Sequence, residues 1–248
     1  MGRTQRRGAL AAGMALAGLV GLAGPQLAGA SAPTTPAGVL RQSVTALGKA
    51  STLTLRGYVV EGTTRVGLNV RAAGKGAESA GLLTLGGAKA GSPVQTIQFV
   101  RLGSRLELRA NKVFWVTQAG KQLPSAVVNV LANRWVTVPS SDLKGLANDL
   151  ASFTDPAKLA ASFLGGPATG LRFGPVTTVD GVKVRPVEDT GDSARIEVPV
   201  AGPPRPVEIV GRSGNAGGDL HFTYPAHLTF SAPKAASLQA LIVKALKG

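Results

Sequence analysis

Apolar and polar residues alternate along the first part of the chain, from position 51 to position 116. Leu53 and Leu55 fall on one side of this alternation, whereas Thr54 and Arg56 fall on the other. A period of two residues is typical of antiparallel strands with one buried face, and turn residues such as those at 61–63 separate the alternating segments. The pattern predicts a meander of hairpin-linked strands, the last of which covers residues 113–116.

The apolar spacing changes to three or four residues in the middle of the chain and near both of its ends. Such spacing places apolar side chains on one face of a helix. The predicted helices cover residues 39–49, 125–131, 140–150, 156–164 and 235–246. Strand alternation returns before the last helix, over residues 176–186, 194–200, 206–210, 219–224 and 226–230. The predicted order is therefore strands, helices and strands again.

The N-terminus has the pattern of an export signal. Arginines at positions 3, 6 and 7 precede an uncharged stretch over 8–27, and Ala28-Gly29-Ala30 offers a cleavage site of small residues. The sequence therefore predicts three segments: a cleavable signal peptide over 1–30, a Pro/Thr/Ala tether over 31–38 and a single domain over 39–248.

Cysteine is absent from the sequence. Neither a disulfide framework nor a lipid anchor on an N-terminal Cys is therefore expected, and the core must hold the domain together by apolar burial. We expect an exported protein of the extracytoplasmic cell envelope, or a secreted one, that is soluble and monomeric after signal cleavage.

Basic residues dominate the charge of the chain, with 27 Lys and Arg against 13 Asp and Glu and a formal net charge of +14. This charge favours anionic partners, but aromatic residues are only 4% of the chain and form no basic stacking platform, so nucleic acid is not expected as a partner. An anionic membrane surface is one interpretation, and a solubilising coat is the other. The basic helix over 235–246 could dock on a membrane, but covering the sheet is the favoured interpretation.

Three short strings carry a resemblance to a known family: RWVTVP at 134–139, PVEIV at 206–210 and YPAHLTFSAP at 224–233. With the order of elements, they resemble the actinobacterial envelope lipoproteins of the LppX and LprG type, which are similar to the lipoprotein carrier LolA. The resemblance covers most of 39–233. It implies an α+β fold in which a curved antiparallel half-barrel sheet has helices packed on its concave face. The chain departs from the family in lacking the lipidated Cys.

The resemblance implies a non-enzymatic binder or carrier of lipids, glycolipids or acylated proteins, with acyl chains held in a hydrophobic cavity between sheet and helices. Burying a sixteen-carbon chain is worth roughly 12 kcal/mol, so the lining must be apolar. The candidate lining residues are Leu55, Leu68, Val70, Leu83, Leu85, Ile97, Phe99, Leu106, Leu108, Phe114, Val116, Leu143, Leu146, Leu150, Leu159 and Phe163. The same residues could instead form a close-packed core. That arrangement would suit the alternative function, an envelope sensor or protein-interaction module.

Patterns for catalysis and metal binding are weak. Ser141 and Lys144 match S-x-x-K, but the S-D-N and K-T-G partners are missing, and helix capping explains a serine at this position. His221 and His227 are the only histidines, with Asp219 nearby, and the favoured interpretation is that both are surface residues and not metal ligands. We therefore expect no enzyme, no cofactor and no metal; an unrecognised hydrolase is the least favoured of the three functions.

Overall fold

The computed structural model describes residues 35–87, 91–119, 123–138, 150–163, 170–191, 193–213 and 216–247. The predicted signal peptide lies outside these residues, as do the first part of the predicted tether and most of the predicted helix over 140–150.

Thirteen strands of the described part of the chain form one sheet. They are β1 (Thr52–Glu61), β2 (Thr64–Ala73), β3 (Glu78–Gly87), β4 (Gln95–Leu102), β5 (Arg105–Ala110), β6 (Trp135–Val138), β7 (Leu171–Phe173), β8 (Thr177–Val179), β9 (Val182–Asp189), β10 (Ala194–Pro199), β11 (Glu208–Ser213), β12 (Ala216–Thr223) and β13 (Ala236–Ser237). Their order across the sheet is β13-β6-β5-β4-β3-β2-β1-β12-β11-β10-β9-β7, and β8 also pairs with β9. The pair β13–β6 is parallel, and the other pairs are antiparallel. The pairing of β1 with β12 joins the two halves of the chain into one sheet.

Helices precede, interrupt and follow the strands. They are α1 (Pro36–Gly48), α2 (Lys112–Ala119), α3 (Ser125–Leu131), α4 (described over 150–154), α5 (Pro156–Phe163) and α6 (Leu238–Lys247), with a 3-10 turn at Gly74–Gly76. At the start of α1, the Thr35 hydroxyl accepts a hydrogen bond of 3.2 Å from the Gly38 backbone N–H, which satisfies a donor that the helix leaves free. None of the described helices has the length and apolar character needed to cross a bilayer.

The predicted strand over 113–116 is wrong, because these residues lie in α2. The Asn111 side chain accepts a hydrogen bond of 3.0 Å from the Phe114 backbone N–H, as a residue that caps a helix does. Four consecutive apolar residues fit either a strand or a helix. Asn111 therefore decides the conformation by starting a helix directly after β5.

The predicted strand over 226–230 is also wrong, because the chain there is irregular. It stays close to β1, since the Thr52 hydroxyl donates a hydrogen bond to the Pro225 carbonyl oxygen. The preceding strand, β12, already pairs with β1 on one side and with β11 on the other. A further hairpin strand would need a free edge on β12, and none is available.

One face of the sheet is apolar across most of its width. Residues directly opposite each other in antiparallel strands point to the same side. On this side they form a continuous row: Ala110, Ile97, Leu83, Leu68, Gly57, Leu220, Ile209, Ile196, Val187 and Phe173. We call this side the inner face and the opposite side the outer face.

Helices cover the inner face towards both ends of the sheet. Helix α1 contacts α5, β7, β9 and β10 and buries Leu40, Val44 and Leu47. Helix α6 contacts α3 and β6 and buries Leu241, so it covers the sheet as favoured from its sequence. These side chains belong to the same buried apolar cluster as Leu68 and the rest of the inner face. The predicted α+β class is confirmed as an open, curved, mostly antiparallel sheet with helices packed on it.

Candidate functional site

Most of the predicted lining residues meet in one buried apolar cluster between the sheet and the helices. Those buried in the cluster are Leu55, Leu68, Val70, Leu83, Leu85, Ile97, Phe99, Leu106, Leu108, Phe114, Leu150 and Leu159. The strand residues among them share the inner face because they occupy alternate positions in adjacent, directly paired strands. The structure therefore brings together the strand and helix residues that the apolar pattern selected.

Val116 is the exception, because 50% of it is exposed to solvent. The prediction that it points inward beside Phe114 assumed a strand, in which residues two apart share a face. In helix α2, residues two apart point in different directions, and of these two residues Phe114 faces the core whereas Val116 does not. Leu143 and Leu146 lie outside the described residues, and Phe163 is the last residue of α5.

A glycine lies between two of the large inner-face side chains. Gly81 in β3 is directly opposite Val70 in β2 and Phe99 in β4. A Cβ atom on Gly81 would lie 2.7 Å from the Asn69 carbonyl oxygen and 3.0 Å from Val70 Cγ2. Because no side chain fits there, the backbone of β3 itself forms part of the inner surface between Val70 and Phe99.

Trp115 is a residue of the interior that the apolar pattern does not reveal, because it lies in the run for which the pattern predicts a strand. Only 6% of Trp115 is exposed, and its ring packs edge to face against Phe114 with ring centres 5.1 Å apart. Its indole N–H has no hydrogen-bond partner among the described residues. An unpaired buried donor is unfavourable by about 1–3 kcal/mol, so a hydrogen-bond acceptor placed beside this N–H would be stabilising.

Two buried serine hydroxyls also lack a hydrogen-bond partner among the described residues. Ser43 in α1 and Ser79 in β3 are fully buried, and neither hydroxyl has a hydrogen-bond partner among the described residues. Ser79 lies on the inner face, two positions before Gly81. Hydroxyl and indole groups within an apolar interior can bind ester or hydroxyl oxygens, which lipids carry between their acyl chains and their headgroups.

A separate polar cluster occupies the outer face. Glu208 in β11 is directly opposite His221 in β12 and Glu197 in β10, and Asp219 lies on the same side two residues before His221. His221 Nε2 is 3.2 Å from Asp219 Oδ1 and 3.4 Å from Glu208 Oε1. The other ring nitrogen, Nδ1, is 2.9 Å from Oδ2 of Asp180 in the turn between β8 and β9.

Negative charge dominates this outer-face cluster. Burial lowers the pKa of His221, but the hydrogen bond to Asp180 and the charges of Asp219, Asp180 and Glu208 outweigh burial and raise the pKa overall. Burial also raises the pKa of Glu197, which lies beside Arg195. Local electrostatics therefore favour a bound cation or proton.

Little in the local sequence indicates this cluster. Asp180 precedes His221 by 41 residues, and only the fold of the β8–β9 turn over the outer face brings the two together. The sequence interpretation of His221 as a surface residue includes Asp219 as a neighbour but not Glu208 or Asp180. His227 is exposed and is not one of the residues grouped around His221.

The arrangement of sheet and helices defines a class: an open half-barrel sheet whose inner face is covered by helices, the LolA-like fold. Among solved structures, LprF from Mycobacterium bovis is similar, with a TM-score of 0.53 and 13% identity over 79% of this chain and 95% of that chain. The lipoprotein LppX of Mycobacterium tuberculosis matches with a TM-score of 0.43 and 12% identity over 78% of this chain and 96% of that chain. No protein-family model and no curated protein sequence matches the chain. The likeness to LprF confirms, at the level of the fold, the resemblance predicted from the sequence.

Proposed function

We propose that this protein is an exported, non-enzymatic binder or carrier of lipids, glycolipids or acylated proteins in the cell envelope. Residues 39–248 act as one domain, and acyl chains bind between the inner face of the sheet and the helices. The observation that carries this proposal is the continuous row of apolar residues from Ala110 to Phe173, which offers an acyl chain an extended apolar surface.

The fold supports the proposal independently of the apolar row. The chain shares its architecture with LprF, and the resemblance to LppX- and LprG-type proteins implies a lipid or acylated ligand. In an open sheet covered by separate helices, a ligand can enter by displacing helices from the sheet without breaking the pairing between strands. Helices α1 and α6, which pack at opposite ends of the sheet, are the elements that such a displacement would move.

The unpaired donors of the interior support binding of a molecule with both apolar and polar groups. Trp115, Ser43 and Ser79 place an N–H and two hydroxyls within the apolar cluster. An acyl ester presents carbonyl oxygens directly beside its hydrocarbon chain, so it could satisfy such donors while its chain contacts the inner face. A purely hydrocarbon ligand would leave the same donors unpaired.

The decisive experiment is organic extraction and mass spectrometry of the full chain, expressed with its own signal in an actinobacterial host. The parent protein is compared with Leu83→Trp and with Leu82→Trp. Leu83 is buried on the inner face, whereas its neighbour Leu82 is half-buried and points to the outer face. The two variants therefore add the same volume to the same strand, on opposite sides of the sheet.

We expect about one lipid per chain in the parent and in Leu82→Trp, and a loss of at least about tenfold in Leu83→Trp, because the larger ring occupies space that the acyl chain needs. Circular dichroism confirms that each variant is folded. A folded parent without lipid would contradict the proposal and favour the alternative, a sensor or protein-interaction module with a filled core. Equal loss of lipid in both variants would argue against binding at the inner face.

A further inference from the structure

Three potential ligand atoms converge on the outer face, away from the inner apolar surface. One oxygen of Glu208, one oxygen of Asp219 and one ring nitrogen of His221 all lie within 4.8 Å of one another. His221 Nε2 lies 3.2 Å from Asp219 Oδ1 and 3.4 Å from Glu208 Oε1. Two ligands of a tetrahedral Zn²⁺ with bonds of about 2.0–2.1 Å are about 3.3–3.4 Å apart. The nitrogen-to-oxygen distances therefore already match the edges of a metal tetrahedron.

Asp180 holds the imidazole in the orientation that a metal requires. Its Oδ2 atom is 2.9 Å from His221 Nδ1, so Nδ1 carries a proton that it donates to the carboxylate. The lone pair of the neutral ring is then on Nε2, the atom that faces Glu208 and Asp219. A carboxylate behind the imidazole is the usual second partner of a metal-binding histidine.

The carboxylates themselves are incompletely paired. Only 7% of Glu208 is exposed, and its Oε2 atom makes no hydrogen bond among the described residues, although Arg195 Nη2 lies 3.5 Å away. Oδ1 of Asp219, which faces His221 Nε2, is also shielded from solvent and has no hydrogen-bond partner among these residues. Removing a carboxylate from water without compensation is unfavourable. This observation is independent of the ligand distances, and it shows that Asp219 Oδ1 lacks a partner when His221 Nε2 carries no proton.

Among the described residues, Arg195 forms ion pairs with this cluster. Its single positive charge does not balance the negative charges of the carboxylates. Arg195 Nε is 3.0 Å from Glu197 Oε1, whereas Arg195 Nη2 is 3.5 Å from Glu208 Oε2. Its single charge is therefore shared between the carboxylates of Glu197 and Glu208, whereas Asp219 and Asp180 face His221. A divalent cation between Glu208 and Asp219 would balance those two charges and leave Arg195 to balance Glu197.

We propose that Glu208, Asp219 and His221 form a binding site for a divalent transition-metal cation, such as Zn²⁺, with Asp180 as a positioning residue behind His221. One nitrogen and two oxygen ligands fit the preference of Zn²⁺ for mixed ligands, whereas Mg²⁺ and Ca²⁺ prefer oxygen alone. The side chains of His221 and Asp219 are each 35% exposed, so the ion enters from solvent. The bound ion would link β11 to β12 and, through Asp180, to the β8–β9 turn.

The test is titration of the untagged full-length protein, first freed of metal with a chelator, with ZnCl₂ in a calorimeter. Parallel titrations use MgCl₂ and CaCl₂. The variants are His221→Gln, Asp219→Asn and Asp180→Asn, and the matched control is His227→Gln, which removes the other histidine of the chain. Thermal unfolding with and without ZnCl₂ provides a second measurement.

We expect saturable binding of about one Zn²⁺ per chain, with an increase in Tm, in the parent and in His227→Gln. His221→Gln and Asp219→Asn abolish saturable binding, and Asp180→Asn weakens it about 10–100-fold. Because the Asp180 side chain is largely exposed, Asp180→Asn should fold like the parent. It therefore tests the metal site even if His221→Gln or Asp219→Asn fails to fold. The proposal is overturned if the parent does not bind Zn²⁺, if Mg²⁺ binds as tightly as Zn²⁺, or if Asp180→Asn binds Zn²⁺ like the parent.

Discussion

A side chain on Gly57 would overlap with the backbone carbonyl oxygen of Asp219 in the adjacent strand. Gly57 has φ +134°, a conformation that glycine adopts far more readily than other residues. It lies in the middle of the inner-face row, opposite Leu68 on one side and Leu220 on the other. The two halves of the sheet are therefore joined at a point where only glycine allows the strands to approach.

Replacing Gly57 with alanine should destabilise the protein by at least about 2 kcal/mol, because the new Cβ both overlaps with β12 and strains the backbone. Gly62 is the matched control, since it also has a positive φ of 58° but a Cβ atom added to it would meet nothing within 4 Å. Gly62→Ala should cost only about 1 kcal/mol of backbone strain. Urea unfolding of both variants measures the difference, and equal costs would show that the close approach is unimportant.

Brominated fatty acid should quench the fluorescence of Trp115 more strongly than that of Trp135. The chain contains two tryptophans, of which Trp115 is in the apolar cluster and Trp135 is opposite Arg109 on the outer face. Bromine quenches a ring that it contacts, so an acyl chain bound at the inner face reaches Trp115. The variant Trp135→Phe keeps only Trp115, and Trp115→Phe keeps only Trp135. On titration with the brominated fatty acid, the fractional quenching of Trp135→Phe should be at least about twice that of Trp115→Phe, because the acyl chain contacts Trp115. Equal quenching would contradict binding at the inner face.

Removing the side chain of Asn111 should destabilise the protein by about 1 kcal/mol and loosen the start of α2. This side chain accepts a hydrogen bond from the Phe114 N–H and donates one to the Val94 carbonyl oxygen. Asn111→Ala loses both bonds, whereas Asn129→Ala, at an exposed position of α3, should change the free energy of unfolding by less than about 0.5 kcal/mol. Hydrogen exchange of the α2 amides measures the local effect, and unchanged exchange in Asn111→Ala would show that the cap is dispensable.

The stability difference between the parent and Glu197→Gln should depend on pH. Burial raises the pKa of Glu197 above its ordinary value of 4.5; Arg195 opposes the shift, and Glu208 and Glu188 add to it. Because the folded state holds this proton more tightly than the unfolded state, the contribution of Glu197 to stability is fully present below pH 4.5 and is lost as the pH rises through the folded pKa. The neutral glutamine has no such loss.

Unfolding free energies of both proteins, without added metal, at several pH values from 4 to 8 test this prediction. We expect Glu197→Gln to gain stability relative to the parent as the pH rises. A difference that is constant with pH, or that changes in the opposite direction, would contradict a raised pKa for this carboxyl group.

The period of two residues was enough to predict the inner face. Leu68, Leu83 and Ile97 are separated by turns of recognisable sequence, and neighbouring strands in such a meander pair with each other, so their burial together follows from local pattern. The same argument failed for Phe114 and Val116, because an apolar run without alternation does not distinguish a strand from a helix.

Contacts between distant parts of the chain could not be predicted in this way. The pairing of β1 with β12 joins residues more than 150 positions apart, and it removes the free edge on which the predicted strand over 226–230 depended. The approach of Asp180 to His221 likewise depends on how the β8–β9 turn folds over the outer face. Neither relationship has a local sequence signal, because both arise from tertiary packing.

Short strands form both ends of the sheet in the part of the chain that the structure describes. At one end β13 consists of Ala236–Ser237, and at the other β7 consists of Leu171–Phe173, followed along β9 by the three residues of β8. Long, flat edges promote edge-to-edge aggregation because they expose rows of unpaired backbone groups. With its longest strands in the interior, the described sheet exposes few unpaired backbone groups at its two ends, which disfavours edge-to-edge association between molecules.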